Sequence, residues 1–199
     1  MIKTIFFDCD GVIIARPERF LQRFSVEFGV PELKLWPFFQ NEFLRCEIGK
    51  ADLKEELIKY LPQWGWKQPV DDLLDFWFKG ESRVDTDAID YIQSLRAQGI
   101  NCFLATNNEK HRAIYLLGKL KLGEAFDGFF TSAHLGCFKN QLQFWQKAYN
   151  FGVMGNKHEV LVVDDTEDVI QTVKKFGFYG HLYAGLDDLQ ETLDQLLKI

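Results

Sequence analysis

The chain has 199 residues, room for one core domain and a modest insertion. Hydrophobic residues make up 47% and charged residues 26%, the balance of a globular chain rather than a disordered one. Acidic residues outnumber basic ones by 29 to 23, and the net charge of −6 argues against a nucleic-acid partner held on a broad basic surface, though not against a small anionic substrate. The first predicted element, residues 3–7, is short, apolar and rich in β-formers, and it runs into the polar turn Asp8-Cys9-Asp10-Gly11. It reads as a buried strand that delivers acidic groups at its carboxyl end. Residues 16–84 then read as helices only, over 17–28, 35–45, 51–61 and 70–79, punctuated by Pro31, Pro62, Pro69 and the glycines at 49, 65 and 80. From there strands alternate with helices. Strands are predicted over 101–105, 128–130, 160–163 and 180–183, and helices over 87–97, 109–120, 140–149, 166–176 and 187–197.

Strand-helix alternation implies an α/β fold: a doubly wound parallel sheet covered on both faces, with a helical insertion after the first strand. The expected division is an α/β core of residues 1–15 and 85–199 and a helical cap of residues 16–84. In such sheets ligands bind outside the carboxyl ends of the strands. There the sequence places Asp8 and Asp10 after the first strand, Thr106-Asn107-Asn108 after the second, Lys139 after the third and Asp164-Asp165 after the fourth. Carboxylates gathered on one edge repel one another unless a hard cation binds among them, and Mg²⁺ suits oxygen ligands and a substrate phosphate.

These segments resemble the haloacid dehalogenase superfamily. Asp8-Cys9-Asp10-Gly11-Val12 matches its D-x-D-G-[VT] opening motif, and Leu104-Ala105-Thr106-Asn107 the apolar strand ending in Ser or Thr. Lys139 matches the third-motif lysine and Val163-Asp164-Asp165 the acidic fourth motif. All four occur in order, and the helical insertion stands where this superfamily carries its caps. Phosphatases of this type commonly have Lys-Pro at the third motif, whereas Lys139 is followed by Asn140-Gln141; Lys147 is the weaker alternative.

The resemblance implies a Mg²⁺-dependent phosphatase acting on a small phosphorylated metabolite, similar to the branch that includes sugar-1-phosphate phosphatases. Asp8 would be the nucleophile and Asp10 the general acid and base. Thr106, Asn107 and Lys139 would hold the phosphoryl group. Asp8, Asp10 (through its carbonyl), Asp165 and Asp164 would hold the metal, with Asp165 favoured for direct contact. Asp10 separates this reading from dehalogenating members, which lack an acid two residues after the nucleophile. A phosphomutase would use the same residues; a non-catalytic receiver-type domain would carry them in a different order.

Competing structural roles are a helix cap for Thr106, an N-cap for Asp164 or Asp165, and a first-turn dipole role for Asp168. The insertion is unusually aromatic, with Trp36, Phe38, Phe39, Phe43, Trp64, Trp66, Phe76, Trp77 and Phe78. Core packing is the favoured explanation, with an apolar roof over a substrate as the other. Surface exposure is the favoured role of Arg16, Arg19, Arg45 and Lys50, with a reach to a substrate's polar groups as the other, and residues 46–51 resemble the family's cap turn. The four cysteines form no C-x-x-C pair, so neither a disulfide framework nor a zinc site is expected. No apolar run approaches the ~18–20 residues that cross a bilayer, and Lys3 and Asp8 interrupt the stretch after Met1. No membrane partner and a cytoplasmic location are therefore expected.

Overall fold

The computed structural model describes residues 1–15, 19–153 and 155–197. Five strands form one sheet: β1 (Thr4–Phe7), β2 (Asn101–Thr106), β3 (Gly128–Thr131), β4 (Val160–Asp164) and β5 (Tyr179–Leu182). Their spatial order is β3-β2-β1-β4-β5, and every pairing is parallel. Crossovers lead outward from β1 to both sides, as a doubly wound sheet requires.

Strand periodicity sorts the core into two layers. Ile5, Phe7, Cys102, Leu104, Leu161 and Val163 face one side, where α6 (Thr86–Ala97) and α12 (Leu186–Leu197) cover them. Phe6, Phe103, Ala105, Phe130, Val160 and Val162 face the other, against α10 (Leu142–Gly152) and α11 (Glu167–Phe176). Slipping β1 by one residue would exchange these sets, so side-chain volume holds the register. With both faces covered, β1 follows Thr4 with the apolar run Ile5-Phe6-Phe7, and all four of its residues are buried.

Between β1 and α6 lie α1 (Phe20–Phe28), α2 (Glu32–Gln40), α3 (Glu42–Glu47), α4 (Leu53–Ile58) and α5 (Val70–Gly80). They enclose their own buried cluster, including Phe24, Leu35, Phe38, Leu57, Trp64 and Leu73. The helix expected over 35–45 is broken in two. The backbone departs from helical geometry at Asn41 (φ −124°, ψ −79°), whose Nδ2 donates to the Pro37 carbonyl at 2.8 Å. A side chain that bonds nearby main chain competes with the helical ladder, and here it ends α2. Arg16 and the start of the helix expected from residue 17 lie outside the described residues.

The helix expected over 109–120 is α7 (Lys110–Ile114) followed by a π-helical turn at Tyr115–Lys119. Two short helices were not expected, α8 (Leu122–Ala125) and α9 (Ser132–Leu135). Each is a single turn, too short to show periodicity.

Candidate active site

The parallel sheet brings the ends of β1, β2, β3 and β4 to one edge. After β1 the chain folds back at once: Ile13 N and Ile14 N both donate to the Cys9 carbonyl, at 2.9 and 2.8 Å. Gly11 makes this possible with φ +102°, a conformation that costs a residue bearing Cβ. The turn leaves Asp8 buried at the foot of the edge and Asp10 exposed above it.

Asp8 and Asp164 share one cation. Lys139 Nζ lies 2.5 Å from Asp8 Oδ1 and 2.7 Å from Asp164 Oδ2, and all three residues are buried. Asp8 Oδ1 also accepts from Cys9 N at 2.7 Å. Burial pushes the Asp8 carboxyl up to about 7, with the Lys139 ammonium working against that rise and Asp164 adding to it. Burial also works against the Lys139 charge, but Asp8 and Asp164 outweigh it and hold the ammonium above its ordinary range. Lys139 itself is fixed through its backbone, with N donating to Asn107 Oδ1 at 3.0 Å and its carbonyl accepting from Trp145 Nε1 at 2.7 Å. Lys147 is turned elsewhere, its Nζ donating to the Leu135 carbonyl.

Carboxylate oxygens of Asp8, Asp164 and Asp165 lie within 4.8 Å of one another. Three formal negative charges against the one positive charge of Lys139 leave a deficit of two. An oxygen-only donor set with that deficit fits a hard divalent cation such as Mg²⁺. Asp164 is fully buried and its Oδ1 accepts from Thr166 N at 2.9 Å, whereas Asp165 is half-buried and faces the cavity.

Two cavities open here. One, about 250 Å³, is lined by Asp8, Asp10, Thr106, Asn107, Lys139, Asn140, Asp165, Thr166, Asp168 and Val169. The other, about 400 Å³, lies between the sheet edge and the helical layer, walled by Trp36, Phe39, Phe43, Glu47, Trp77 and Arg112 among others. Among the described residues, only Asp10 and Asn107 line both. The aromatic residues therefore divide between roles: Phe38 and Trp64 are buried in the helical core, while Trp36, Phe39, Phe43 and Trp77 wall the cavity.

Thr106 ends β2 buried, with its Oγ1 accepting from Asn108 Nδ2 at 2.7 Å. It caps no helix; Glu109 caps α7, accepting from His111 N (2.7 Å) and Arg112 N. Asp168 sits on the first turn of α11.

Two residues hold Asp10: Asn108, which the sequence placed after the second strand without a role, and Arg112, which the sequence did not single out. Asn108 Nδ2 donates to Asp10 Oδ2 at 2.9 Å, and Arg112 Nη2 lies 3.4 Å from Asp10 Oδ1. Arg112 is buried and also donates to the Phe78 carbonyl at 3.1 Å and to the Glu81 carbonyl, at the end of α5. Ser132 Oγ donates to the Glu47 carbonyl at 2.5 Å and so ties the end of α3 to α9. Next to it Gly49 (φ +69°) has no room for a side chain, because a Cβ would stand 2.3 Å from the Ala133 carbonyl oxygen.

The model of the haloacid dehalogenase-like hydrolases matches residues 2–177. The chain belongs to this family. Among curated proteins none matches. The fold is shared with a predicted haloacid dehalogenase (HAD)-like family hydrolase from Porphyromonas gingivalis, at 20% identity and a TM-score of 0.81 over 100% of this chain and 99% of that one. It is shared too with a HAD family enzyme from Bacteroides thetaiotaomicron in complex with magnesium and inorganic phosphate (20% identity, TM-score 0.78, 94% and 97% covered). L-2-haloacid dehalogenase from Xanthobacter autotrophicus is a more distant match, at 21% identity and a TM-score of 0.63 over 98% and 83%. As a haloacid dehalogenase-like hydrolase, the chain presents its acidic cluster at the carboxyl edge of the family's sheet, beneath a helical layer inserted after β1.

Proposed function

We propose that this hydrolase is a Mg²⁺-dependent phosphatase of small phosphomonoesters, with residues 16–84 acting as its cap. The observation that carries the reading is the position of Asp10 at the junction of the two cavities. The smaller cavity holds the charged groups suited to a phosphoryl group, and the larger takes the alcohol. A leaving oxygen crossing from one to the other passes Asp10.

In the first step the Asp8 carboxylate attacks phosphorus, the ester P–O bond breaks, and the leaving oxygen takes the proton of the Asp10 carboxylic acid. In the second, Asp10 accepts a proton from water, the hydroxide attacks phosphorus, and the bond to Asp8 breaks to release phosphate. Asp8 Oδ1 is engaged by Lys139 and Cys9 N, which leaves Oδ2 as the attacking oxygen. Lys139 favours the ionised form of Asp8 against burial and, with Thr106 and Asn107, holds the phosphoryl oxygens as charge develops. With its Oδ1 accepting from Lys139 N, Asn107 offers its Nδ2 to the substrate. Mg²⁺ held by Asp8, Asp165, the Asp10 carbonyl and, in support, Asp164 would neutralise phosphoryl charge. An alkyl halide needs no protonation of its leaving group, so the placement of Asp10 favours phosphate esters over dehalogenation.

The test is phosphate release from a panel of phosphomonoesters, with and without Mg²⁺, for wild type and Asp8→Asn. Metal-dependent turnover that falls by about 10³-fold or more in the variant is expected. Turnover retained in Asp8→Asn would exclude Asp8 as nucleophile, and halide release from a 2-haloacid without phosphate release would overturn the reading.

A further inference from the structure

The larger cavity also bears on what the substrate's alcohol is. Four aromatic side chains, Trp36, Phe39, Phe43 and Trp77, contribute to its wall. Phe39, Phe43 and Trp77 pack on one another with ring centroids 5.2 to 5.4 Å apart, so they form a continuous aromatic surface. Trp36, 39% exposed, extends the aromatic lining toward solvent.

Charge in this wall is mostly spoken for. Glu81 accepts from Phe20 N at 2.6 Å and from Trp77 Nε1 at 2.9 Å, one bond on each oxygen. Glu109 is occupied at both oxygens by the first turn of α7. Arg112 is committed to Asp10 and to the carbonyls of Phe78 and Glu81. Arg19 is exposed, where water and salt screen it.

Glu47 is different. It is partly buried at the end of α3 and lines the cavity, and among the described residues its carboxylate has no hydrogen-bond or ion-pair partner. Its backbone is held in place by the bond from Ser132, so the carboxylate is presented on a fixed support. A carboxylate beside aromatic rings attracts a cation twice over, by its own charge and by the ring quadrupoles. A sugar could stack on the rings but would find most of the wall's polar groups already bonded when its hydroxyls need partners. An anionic group would meet Glu47 and Asp10.

We propose that the alcohol of the substrate carries an organic cation, a protonated amine or a quaternary ammonium, which sits among these rings with Glu47 as its counter-ion. The hydrolysis of such an ester rests on the phosphatase reading above; the binding of the cation does not. The volume of about 400 Å³ suits a small alcohol of this kind.

The experiment compares kcat/KM for choline phosphate and for 3,3-dimethylbutyl phosphate, its uncharged carbon isostere, with the Mg²⁺-loaded protein. Nitrophenyl phosphate serves as a reference for phosphatase activity itself. The charged ester is expected to win by about tenfold or more. Glu47→Gln should collapse that ratio toward one, and Trp36→Leu, at an exposed position, should lower it. Equal use of the two esters, or a preference for a bisphosphate, overturns the proposal. If no ester is hydrolysed at all, the phosphatase reading fails, and the cation site is decided by binding. Tetramethylammonium should then change the fluorescence of Trp36 and Trp77 saturably where sodium at equal ionic strength does not, and Glu47→Gln should weaken the effect. Identical titrations with the two cations would end the idea.

Discussion

Lys139 shows how much one side chain can decide at a site built from like charges. Its ammonium is the only described cation within salt-bridge distance of Asp8 and Asp164, both of which are buried. Replacing it by Met keeps the volume but leaves two carboxylates facing each other without a counter-ion. Breaking such a pair from one side typically costs about 3–5 kcal/mol. Lys139→Met is therefore expected to lower the urea midpoint substantially, and added Mg²⁺ should recover part of the loss by supplying positive charge. A midpoint like that of wild type would show that the pair contributes nothing to stability. Glu47 is a second case, with a pH signature. Burial first, then the charges of Glu109 and Asp10, push its carboxyl from 4.5 up to about 7. The folded state thus keeps a proton that the unfolded state has already lost. This contribution to stability is full below about 4.5, declines as pH rises to about 7, and is flat above. Thermal unfolding followed across that range should show the decline in wild type and a flatter profile in Glu47→Gln.

At the scale of elements, α7 does more than follow β2. Its N-terminus is held by Glu109, and its third residue, Arg112, reaches both Asp10 and the end of α5. One guanidinium therefore links the Asp10 carboxylate to the segment by which the helical layer rejoins the sheet. Ala15 N donates to the Arg83 carbonyl and Asp85 N to the Ile13 carbonyl, so the two connections of that layer run side by side. Arg112 is a positioning residue in this account. Arg112→Ala should reduce kcat about 10- to 100-fold on alkyl phosphates, whose leaving oxygen needs a proton, and less on nitrophenyl phosphate, whose leaving group does not. Arg112→Lys keeps the charge but loses the fork and should recover only part. An equal loss on both ester types would mean that Arg112 acts on the fold and not through Asp10. On the other side of the site, His111 Nε2 lies 3.0 Å from Asp52 Oδ2 on the N-cap of α4, a second tie between layer and core.

For the whole molecule, β1 is the structural centre as well as the strand that leads into Asp8, the proposed nucleophile. Phe6 is fully buried there and meets Phe103, Phe130, Trp145 and Phe178, with ring centroids 5.4 to 6.3 Å away. Those rings come from β2, β3, α10 and the stretch before β5, so one side chain joins most of a face of the sheet. Phe6→Ala should cost about 3–5 kcal/mol of unfolding free energy, measured by denaturant titration. Because Asp8 is two residues further on, the loss is expected to raise the metal requirement for activity as well. A cost below about 1 kcal/mol would show that the core collapses around the gap and that β1 is not its anchor.

Much of this architecture was legible in the chain itself. Apolar strand segments, helical periodicity between them and a helix-only insertion after the first strand are local patterns, and local patterns survive without knowledge of partners. They determine a parallel sheet, and a parallel sheet forces the groups at its strand ends onto one edge. Asp8, Thr106 and Asp164-Asp165 were found in that way, by position at strand ends, and Lys139 by its match to a motif after the third strand. What the chain could not show is which groups meet across long separations. Arg112 lies 102 residues from Asp10 and stands in no motif, and Asn108, just past the end of β2, lies 98 residues from it with nothing local to pair the two. Likewise nothing local separates Phe38, sealed in the helical core, from Phe39, one residue on and facing the cavity. The break at Asn41 turns on a single side-chain bond to the Pro37 carbonyl, against a background of helix-forming neighbours. Strand ends are set by short-range pattern, so the sequence alone determined the fold and the charged floor of the site. The walls of the site are set by packing between the helical layer and the sheet, and only the tertiary structure decided those.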